Sequence, residues 1–131
     1  GDWKVNAYGG QKFLQFRATQ GSYVKSPTFA GNVVKIEVNV DASKKQTAPR
    51  ILYVIPSSTE LPNTKDSKYK DLPDVIKNAY GTIEFGVQAG TGTAQTIGDT
   101  ASTEISADIK DFMLVCGDGA IYVHSITVYT K

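Results

Sequence analysis

The sequence is poor in the residues that most enzymes and metal proteins use for their chemistry. Its 131 residues include one His, one Cys, one Met and one Trp. A single Cys excludes an internal disulfide and any zinc site built from several cysteines. A single His excludes paired histidine ligands and leaves at most one imidazole base. The sequence therefore predicts a fold that rests on its hydrophobic core and holds no cofactor.

An excess of charge of one sign and long hydrophobic runs are also missing. The chain has 14 Lys+Arg against 13 Asp+Glu, for a formal net charge of +1. This balance predicts no nucleic-acid partner, since such proteins carry a dense cationic surface. No apolar run approaches the roughly 20 residues of a membrane span. The chain begins Gly1-Asp2-Trp3 without a start methionine, so we expect that any leader peptide has been removed.

Residues branched at Cβ, in contrast, are abundant. There are 12 Val, 10 Ile and 13 Thr against 5 Leu, which favours strands over helices, and 12 Gly and 5 Pro supply turns. The length is that of about one domain. We therefore predict an all-β fold in which residues 1–131 form a single β-sandwich domain, with residues 1–11 acting as a linker or an N-terminal staple.

The hydrophobic pattern predicts about eight short strands joined by turns. Val33–Val40 alternates apolar and polar residues, as a half-buried strand does, whereas Ile51–Ile55 and Phe112–Cys116 are apolar on both faces. The other predicted strands are Lys12–Arg17, Ser22–Val24, Thr82–Val87, Thr103–Ala107 and Ile121–Tyr129. A two-sheet antiparallel β-sandwich, a jelly-roll, accommodates strands that are covered on both faces better than the alternative, a small barrel.

The last strand changes face partway along its length. Ile121 and Val123 share one face under strict alternation, but Ile126 and Val128 share the other. This pattern predicts a bulge near His124-Ser125, or a strand with both faces partly covered.

Two long segments do not fit a minimal sandwich. Pro56–Gly81 contains one predicted short helix, with Asp71 as its cap, Pro73 in its first turn and Gly81 at its end. Ala89–Thr103 consists almost wholly of small and polar residues and predicts either a flexible connection or a Thr-rich hairpin. Such segments in compact domains are often functional.

Two parts of the sequence resemble a known family. Gly21–Phe29 reads Gly-Ser-Tyr-Val-Lys-Ser-Pro-Thr-Phe and resembles a G-x-[IV]-x-S-P-x-F segment, and Ala120–Val128 resembles a [IVW]-Y-[IV]-D-x-[IV]-x-[IV] strand after a Gly-rich turn. Both are similar to galactose-binding-like jelly-roll domains of secreted and cell-surface proteins of Gram-negative gut bacteria. The resemblance implies an extracytoplasmic location and a non-catalytic role in carbohydrate or surface attachment. The chain departs from the pattern at His124, where Asp is usual, and no binding residue is carried over.

Catalytic and metal-binding interpretations find little support in the sequence. Ser125 follows His124 in a strand, so strict alternation places the two on opposite faces, and no G-x-S-x-G motif is present. Cys116 lies in an apolar strand and is expected to be buried and inert. Asp99 and Asp118 could hold a structural calcium, but turns explain both, so no metal is predicted. The remaining carboxylates are explained as solvated strand residues, namely Glu37, Glu84, Glu104, Asp108 and Asp111.

Aromatic residues outside the predicted strands give the one functional indication. Sugar rings present apolar C–H faces that stack on exposed Trp or Tyr rings. The candidate ligand-binding residues are Trp3, Tyr8, Tyr69 and Tyr80. Packing against the core is the alternative role for each of them.

The sequence therefore predicts a non-catalytic module of a secreted or surface bacterial protein that binds poly- or oligosaccharide through loop aromatics. Other domains of a parent protein are expected as further partners. The alternative is a structural or protein-interaction domain, for adhesion or assembly, that uses an edge strand or the Thr-rich segment without a small-molecule ligand. An enzyme would need two carboxylates about 5–10 Å apart in one pocket.

Overall fold

The computed structural model describes residues 3–6, 8–9, 14–16, 22–42, 50–61, 71–85, 99–117 and 121–131. These parts of the chain form ten strands and one short helix. In chain order the elements are β1 (Lys4–Asn6), β2 (Tyr8–Gly9), β3 (Leu14–Phe16), β4 (Tyr23–Lys25), β5 (Val33–Ala42), β6 (Arg50–Ile55), α1 (Pro73–Ile76), β7 (Gly81–Phe85), β8 (Asp99–Glu104), β9 (Met113–Cys116) and β10 (Ile121–Thr130).

The strands form two five-stranded sheets, in which each recorded strand pair is antiparallel. Sheet A has the order β1-β4-β9-β6-β7, and sheet B has the order β2-β3-β10-β5-β8. Most connections between consecutive strands pass from one sheet to the other, and the exceptions are β2 to β3 and β6 to β7. The predicted all-β sandwich of jelly-roll type, with one short helix in a long loop, is confirmed.

The core lies between the two sheets and is built by the predicted alternation. In β5 the side chains of Ile36, Val38 and Val40 are fully buried, whereas the intervening Lys35, Glu37 and Asn39 are partly exposed on the other face. Sheet A supplies the facing residues of the same apolar cluster, Val24, Leu52, Val54, Ile83, Phe85, Leu114 and Cys116. Cys116 is buried, as expected from its place in an apolar strand.

A second apolar cluster covers the outer face of sheet A. It contains Ile55 of β6, Met113 and Val115 of β9, and Val75 of α1, with Leu61 and Leu72 packed against them. The segment that leaves β6 therefore returns across the sheet and shields the strands that are apolar on both faces. This arrangement agrees with the prediction that Ile51–Ile55 and Phe112–Cys116 are covered on both faces.

The helix forms inside this covering segment, but its ends differ from the predicted ones. Leu72, not Asp71, is the N-cap residue, and no side chain caps the helix. Pro73 occupies the first turn, where its missing N–H costs nothing. Gly81 does not end the helix, because it is the first residue of β7. Packing of Val75 on sheet A compensates for the missing cap.

The predicted bulge in β10 is confirmed. Val123 pairs with Val40 and Ser125 pairs with Asn39, so His124 is an extra residue in the ladder. Beyond the shift, Ile126 pairs with Val38. Because directly paired residues share a face, the bulge keeps the apolar residues on both sides of it directed at the core.

The strand predicted at Thr103–Ala107 begins and ends earlier than expected. It is β8, Asp99–Glu104, which pairs with β5 at the edge of sheet B. The last residues of the Thr-rich segment Ala89–Thr103 therefore belong to a strand, while residues 89–98 lie outside the described residues.

The covering of sheet A gives a first testable prediction. Ile55 is fully buried on the outer face, so Ile55→Ala should lower the free energy of unfolding by about 2–5 kcal/mol in a chemical denaturation experiment. Glu84→Gln, at an exposed position on the neighbouring β7, is the control and should change it by less than about 0.5 kcal/mol. If both variants are equally stable, the outer face is not covered in solution.

Candidate functional site

Trp3 lies just before β1 and packs its ring against the core. Its centroid is 6.4 Å from that of Phe29 and 6.0 Å from that of Phe112, both in edge-to-face geometry. Phe29 and Phe112 in turn stack on each other with centroids 6.5 Å apart. Trp3 is still 38% exposed. It therefore closes one end of the sandwich while leaving part of its ring open to solvent.

The other three candidate aromatics lie elsewhere in the chain. Tyr80 is half-buried against the core just before β7, and its backbone N–H donates to the Val54 carbonyl. Tyr8 is in β2, at the edge of sheet B, where it pairs with Gln15. Tyr69 lies outside the described residues.

The strand register separates these residues. Trp3 precedes Lys4 at one edge of sheet A, and Tyr80 precedes Gly81 at the other edge. Their strands are four strand spacings apart, or roughly 19 Å, at the same end of the sheet. Tyr8 is on the other sheet. The structure thus does not bring Trp3, Tyr8 and Tyr80 together on one small surface.

A different aromatic residue is exposed on a rigid strand. Tyr129 of β10 is 43% exposed on the outer face of sheet B. It pairs directly with Lys35 of β5, and Lys35 pairs directly with Glu104 of β8. The Lys35 Nζ lies 5.3 Å from the centroid of the Tyr129 ring, within range of a cation–π contact. We call Tyr129, Lys35 and Glu104 the tyrosine row.

The tyrosine row borders a cleft of about 730 Å³. Val34, Ile105 and Ser106 complete its described lining. The cleft thus combines an aromatic ring, an ammonium and a carboxylate on neighbouring strands with the hydroxyl of Ser106, two residues after β8. This combination can hold a ligand that has an apolar face and hydroxyl groups at its rim.

Farther along the same strands, two buried polar atoms have no hydrogen-bond partner among the described residues. Asn39 Nδ2 donates to Thr100 Oγ1 at 2.5 Å, but Asn39 Oδ1 is buried without a hydrogen-bond partner. His124 Nε2 is also buried without a hydrogen-bond partner among the described residues. Buried polar atoms are nearly always hydrogen-bonded, so such exceptions are informative. Both belong to the bulge region, where His124 and Ser125 lie opposite Asn39.

The bulge also changes the predicted placement of His124 and Ser125. Strict alternation would place them on opposite faces, but in the bulged ladder both lie between the inward-directed Val123 and Ile126. They are nevertheless no catalytic pair, because His124 Nε2 has no hydrogen-bond partner and Ser125 is exposed. A nucleophilic serine needs a base within hydrogen-bond reach.

Carboxylates meet at one further cavity. Glu60 and Asp74 both line a cavity of about 450 Å³ beside α1. Both residues are exposed, and the Asp74 carboxylate lies 3.7 Å from Lys77 Nζ with 96% of its side chain accessible. Catalytic carboxylate pairs need two environments that separate an acid from a base, and this cavity offers no such difference. The tyrosine-row cleft has one carboxylate among its described lining residues, Glu104.

The described parts of the chain hold neither a metal-binding cluster of side chains nor a membrane-spanning helix. No group of three or more His, Cys, Asp or Glu side chains in the described residues is placed to hold a metal ion. Asp118, named above with Asp99 for calcium, lies outside those residues. Within the described chain, no helix is long and apolar enough to cross a membrane.

Tyr129 and Lys35 were missed as site residues because both lie inside predicted strands. The predicted bulge in the last strand was the sequence signal that could have identified Tyr129 as an outward-directed residue. With Ile126 and Val128 directed at the core, alternation turns Tyr129 outward, and a large aromatic residue on an outward position is unusual.

Comparisons with known proteins identify the fold. No protein-family model matches the sequence, and no curated protein matches it. Among solved structures, the chain is similar to CsCBM6-3 from Clostridium stercorarium in complex with cellobiose, with 16% identity, coverage of 97% of this chain and 88% of that chain, and a TM-score of 0.50. It is also similar to a family 6 carbohydrate-binding module whose binding sub-sites were dissected by crystallography and calorimetry, with 16% identity, coverage of 98% and 82%, and a TM-score of 0.52.

These structures define the class of fold. The chain shares the two-sheet β-sandwich fold of these two structures. At this identity the likeness concerns the arrangement of strands, so the function has to be argued from the side chains.

The packing of Trp3 gives a second testable prediction. Trp3→Ala removes two ring contacts and should lower the free energy of unfolding by about 1–3 kcal/mol, less than for a fully buried Trp. Lys110→Ala, exposed in the segment that leads into Phe112, should change it by less than about 0.5 kcal/mol. Equal stability of the two variants in chemical denaturation would show that Trp3 does not hold the N-terminus.

Proposed function

We propose that this protein is a non-catalytic carbohydrate-binding module that binds poly- or oligosaccharide on the outer face of sheet B. The observation that carries the proposal is the exposed Tyr129 ring, set beside Lys35 and Glu104 in an open cleft. The fold is that of modules of this kind, one of which was crystallised with cellobiose.

The chemistry of the tyrosine row suits a sugar. One face of a pyranose ring is apolar and stacks on an aromatic ring, while its hydroxyl groups need donors and acceptors at the edge. Lys35 donates only and a charged Glu104 accepts only, so each fixes the direction of the hydrogen bonds that it makes. Charged partners also strengthen these bonds relative to neutral ones.

The placement on strands adds a second argument. Tyr129, Lys35 and Glu104 stand on three adjacent paired strands, so their backbones are held before a ligand arrives. A preformed site loses less conformational entropy on binding than a loop that must become ordered.

The four aromatics named from the sequence remain part of the proposal as separate contacts. Trp3 is exposed enough to touch a ligand, but it lies roughly 19 Å from Tyr80 across sheet A. Tyr8 and Tyr69 stay predictions from the sequence. A long polysaccharide would be needed to touch more than one of them.

The setting of the module follows from the same proposal. We place it outside the cytoplasm, secreted or on the outer cell surface, in a protein of Gram-negative gut bacteria with other domains as its partners. Residues 1–131 then act as one domain, with residues 1–11 as an N-terminal staple. Pairing of β1 with β4 and the ring contacts of Trp3 support the staple over a linker.

Calorimetric titration against cello-oligosaccharides and a panel of soluble polysaccharides tests the proposal. Tyr129→Ala should weaken binding by about ten-fold or more, because the stacking surface is lost, whereas Tyr129→Phe should stay within about three-fold. Thr82→Ala, at an exposed position on β7 of sheet A, is the control and should bind like the wild type. Wild-type affinity in Tyr129→Ala, or no glycan bound by the wild type, would refute the proposal.

Tryptophan fluorescence separates the two candidate surfaces. The chain has a single Trp, so its emission reports on the Trp3 end of the sandwich alone. Saccharide binding at the tyrosine row should leave this emission unchanged, whereas contact with Trp3 should shift or quench it. A large shift that persists in Tyr129→Ala would move the binding surface to Trp3.

A protein-interaction role is the second candidate, and one observation favours it. β8 is an edge strand of sheet B, and an edge strand presents unpaired backbone groups that can accept another strand. A stable homodimer in light scattering, together with no glycan binding, would support this alternative.

A further inference from the structure

A second cleft, on the opposite face of the sandwich, has a different chemistry. It measures about 380 Å³ and lies where β1, β4 and β9 meet the segment after β6. Lys4 and Lys25 are its charged residues, and Met113 lies in its lining with them. Tyr23, Ser57, Thr59 and Leu61 complete the described lining. We call this the lysine cleft.

The two lysines are direct neighbours across paired strands. Lys4 pairs with Lys25 in the antiparallel β1–β4 ladder. Their Cβ atoms are therefore about 4.5–5.5 Å apart, and like charges in this position destabilise a sheet. Both side chains lie on the outer face of sheet A, since the intervening Val24 is buried in the core. An anion between the two ammonium groups would relieve the repulsion.

Protection of a sheet edge explains one lysine but not the other. Proteins place lysine on edge strands to prevent pairing with other chains, and Lys4 is on the edge strand β1. Lys25 is on β4, an interior strand between β1 and β9. Its neighbours on the same face, Tyr23 and Met113, pack in the outer apolar cluster. A charge at this position requires another reason.

Among the carboxylates of the described neighbouring segments, that of Asp111 bonds to Ser57, which lines the cleft. No ion pair of Lys4 or Lys25 is recorded within the described chain. Asp111 accepts a hydrogen bond from Ser57 Oγ at 2.8 Å and one from Thr28 Oγ1 at 3.3 Å. Glu60, between the two cleft residues Thr59 and Leu61, lines the cavity beside α1.

We propose that the lysine cleft binds the anionic group of an acidic saccharide, either a uronate carboxylate or a sulfate ester. This inference rests on the proposed function, because it takes the ligand to be a saccharide. The ammonium groups of Lys4 and Lys25 bond to the anion, which gives short, charge-assisted hydrogen bonds. The cleft has room for on the order of ten water molecules, which suits a sugar unit better than a lone ion.

The surrounding groups fit the rest of such a sugar. Ser57 and Thr59 place hydroxyls at the rim, and Tyr23 and Met113 supply an apolar wall. The lysine cleft lies on the outer face of sheet A, whereas the tyrosine row lies on the outer face of sheet B. The two surfaces can therefore be tested separately.

The experiment compares charged and neutral forms of the same glycans by calorimetry. The ligands are dextran sulfate against dextran, and a uronic-acid oligosaccharide against its neutral counterpart. The wild type should bind the charged forms at least about five-fold more tightly than the neutral forms. That ratio corresponds to one charge-assisted hydrogen bond or more. Raising the salt concentration from roughly 0.05 to 0.5 M should reduce this difference. No preference for the charged forms overturns the inference.

Variants locate the preference. The variant K4Q/K25Q should lose the preference for charged glycans. The variant K77Q/K110Q removes the same charge from exposed positions and should keep that preference. Lys25→Arg retains the charge and should keep most of the preference. Thermal unfolding of each variant shows that the fold is intact. If both double variants lose the preference for charged glycans equally, the net charge of the protein attracts the ligand. That outcome contradicts a binding site at Lys4 and Lys25.

Two further outcomes separate this inference from the proposed function. If inorganic sulfate competes as well as the sulfated glycan at equal concentration, the site recognises an anion alone and the saccharide assignment is wrong. If neutral cello-oligosaccharides do not bind but charged glycans bind through Lys4 and Lys25, the tyrosine row fails while the lysine cleft stands. Binding of neutral glycans should be the same in K4Q/K25Q and the wild type.

Discussion

The architecture depends on the apolar outer face of sheet A. β6 and β9 carry apolar residues on both sides, so one side faces sheet B and the other must be covered by something else. The segment after β6, including α1, supplies that cover. Because burial of apolar surface is the main favourable term in folding, the described parts of this segment, with Leu61, Leu72 and Val75, are held against sheet A. The surfaces left for ligands are those that the cover does not reach.

The two proposed binding surfaces follow from this division. Among the described residues, nothing forms an equivalent cover over Lys35, Glu104 and Tyr129, which leaves polar and aromatic side chains at least partly exposed on paired strands. On sheet A the lysine cleft lies beside this cover, where β1, β4 and β9 meet the segment after β6. A sandwich of this kind can therefore present two chemically different faces, one suited to neutral rings and the other to negative charge.

Much of the fold could be predicted because alternation reports which face a residue occupies. The positions of β5, β6 and β9 and the bulge in β10 follow from local patterns of apolar residues. The pairings of Lys4 with Lys25 and of Tyr129 with Lys35 do not, since they depend on which strands become neighbours and in what register. The helix cap at Asp71 was wrong for a related reason, because the packing of Val75, rather than local capping, determines where α1 begins.

The bulge at His124 has a consequence for the number of functional groups that β10 can present. A regular strand would place one side chain opposite Asn39, and the bulged strand places two there, His124 and Ser125. Removing His124 would restore strict alternation without moving any apolar residue off the core. The extra residue therefore adds a side chain beside Asn39 without displacing an apolar residue from the core. The bulge therefore brings two polar side chains, instead of one, next to Asn39.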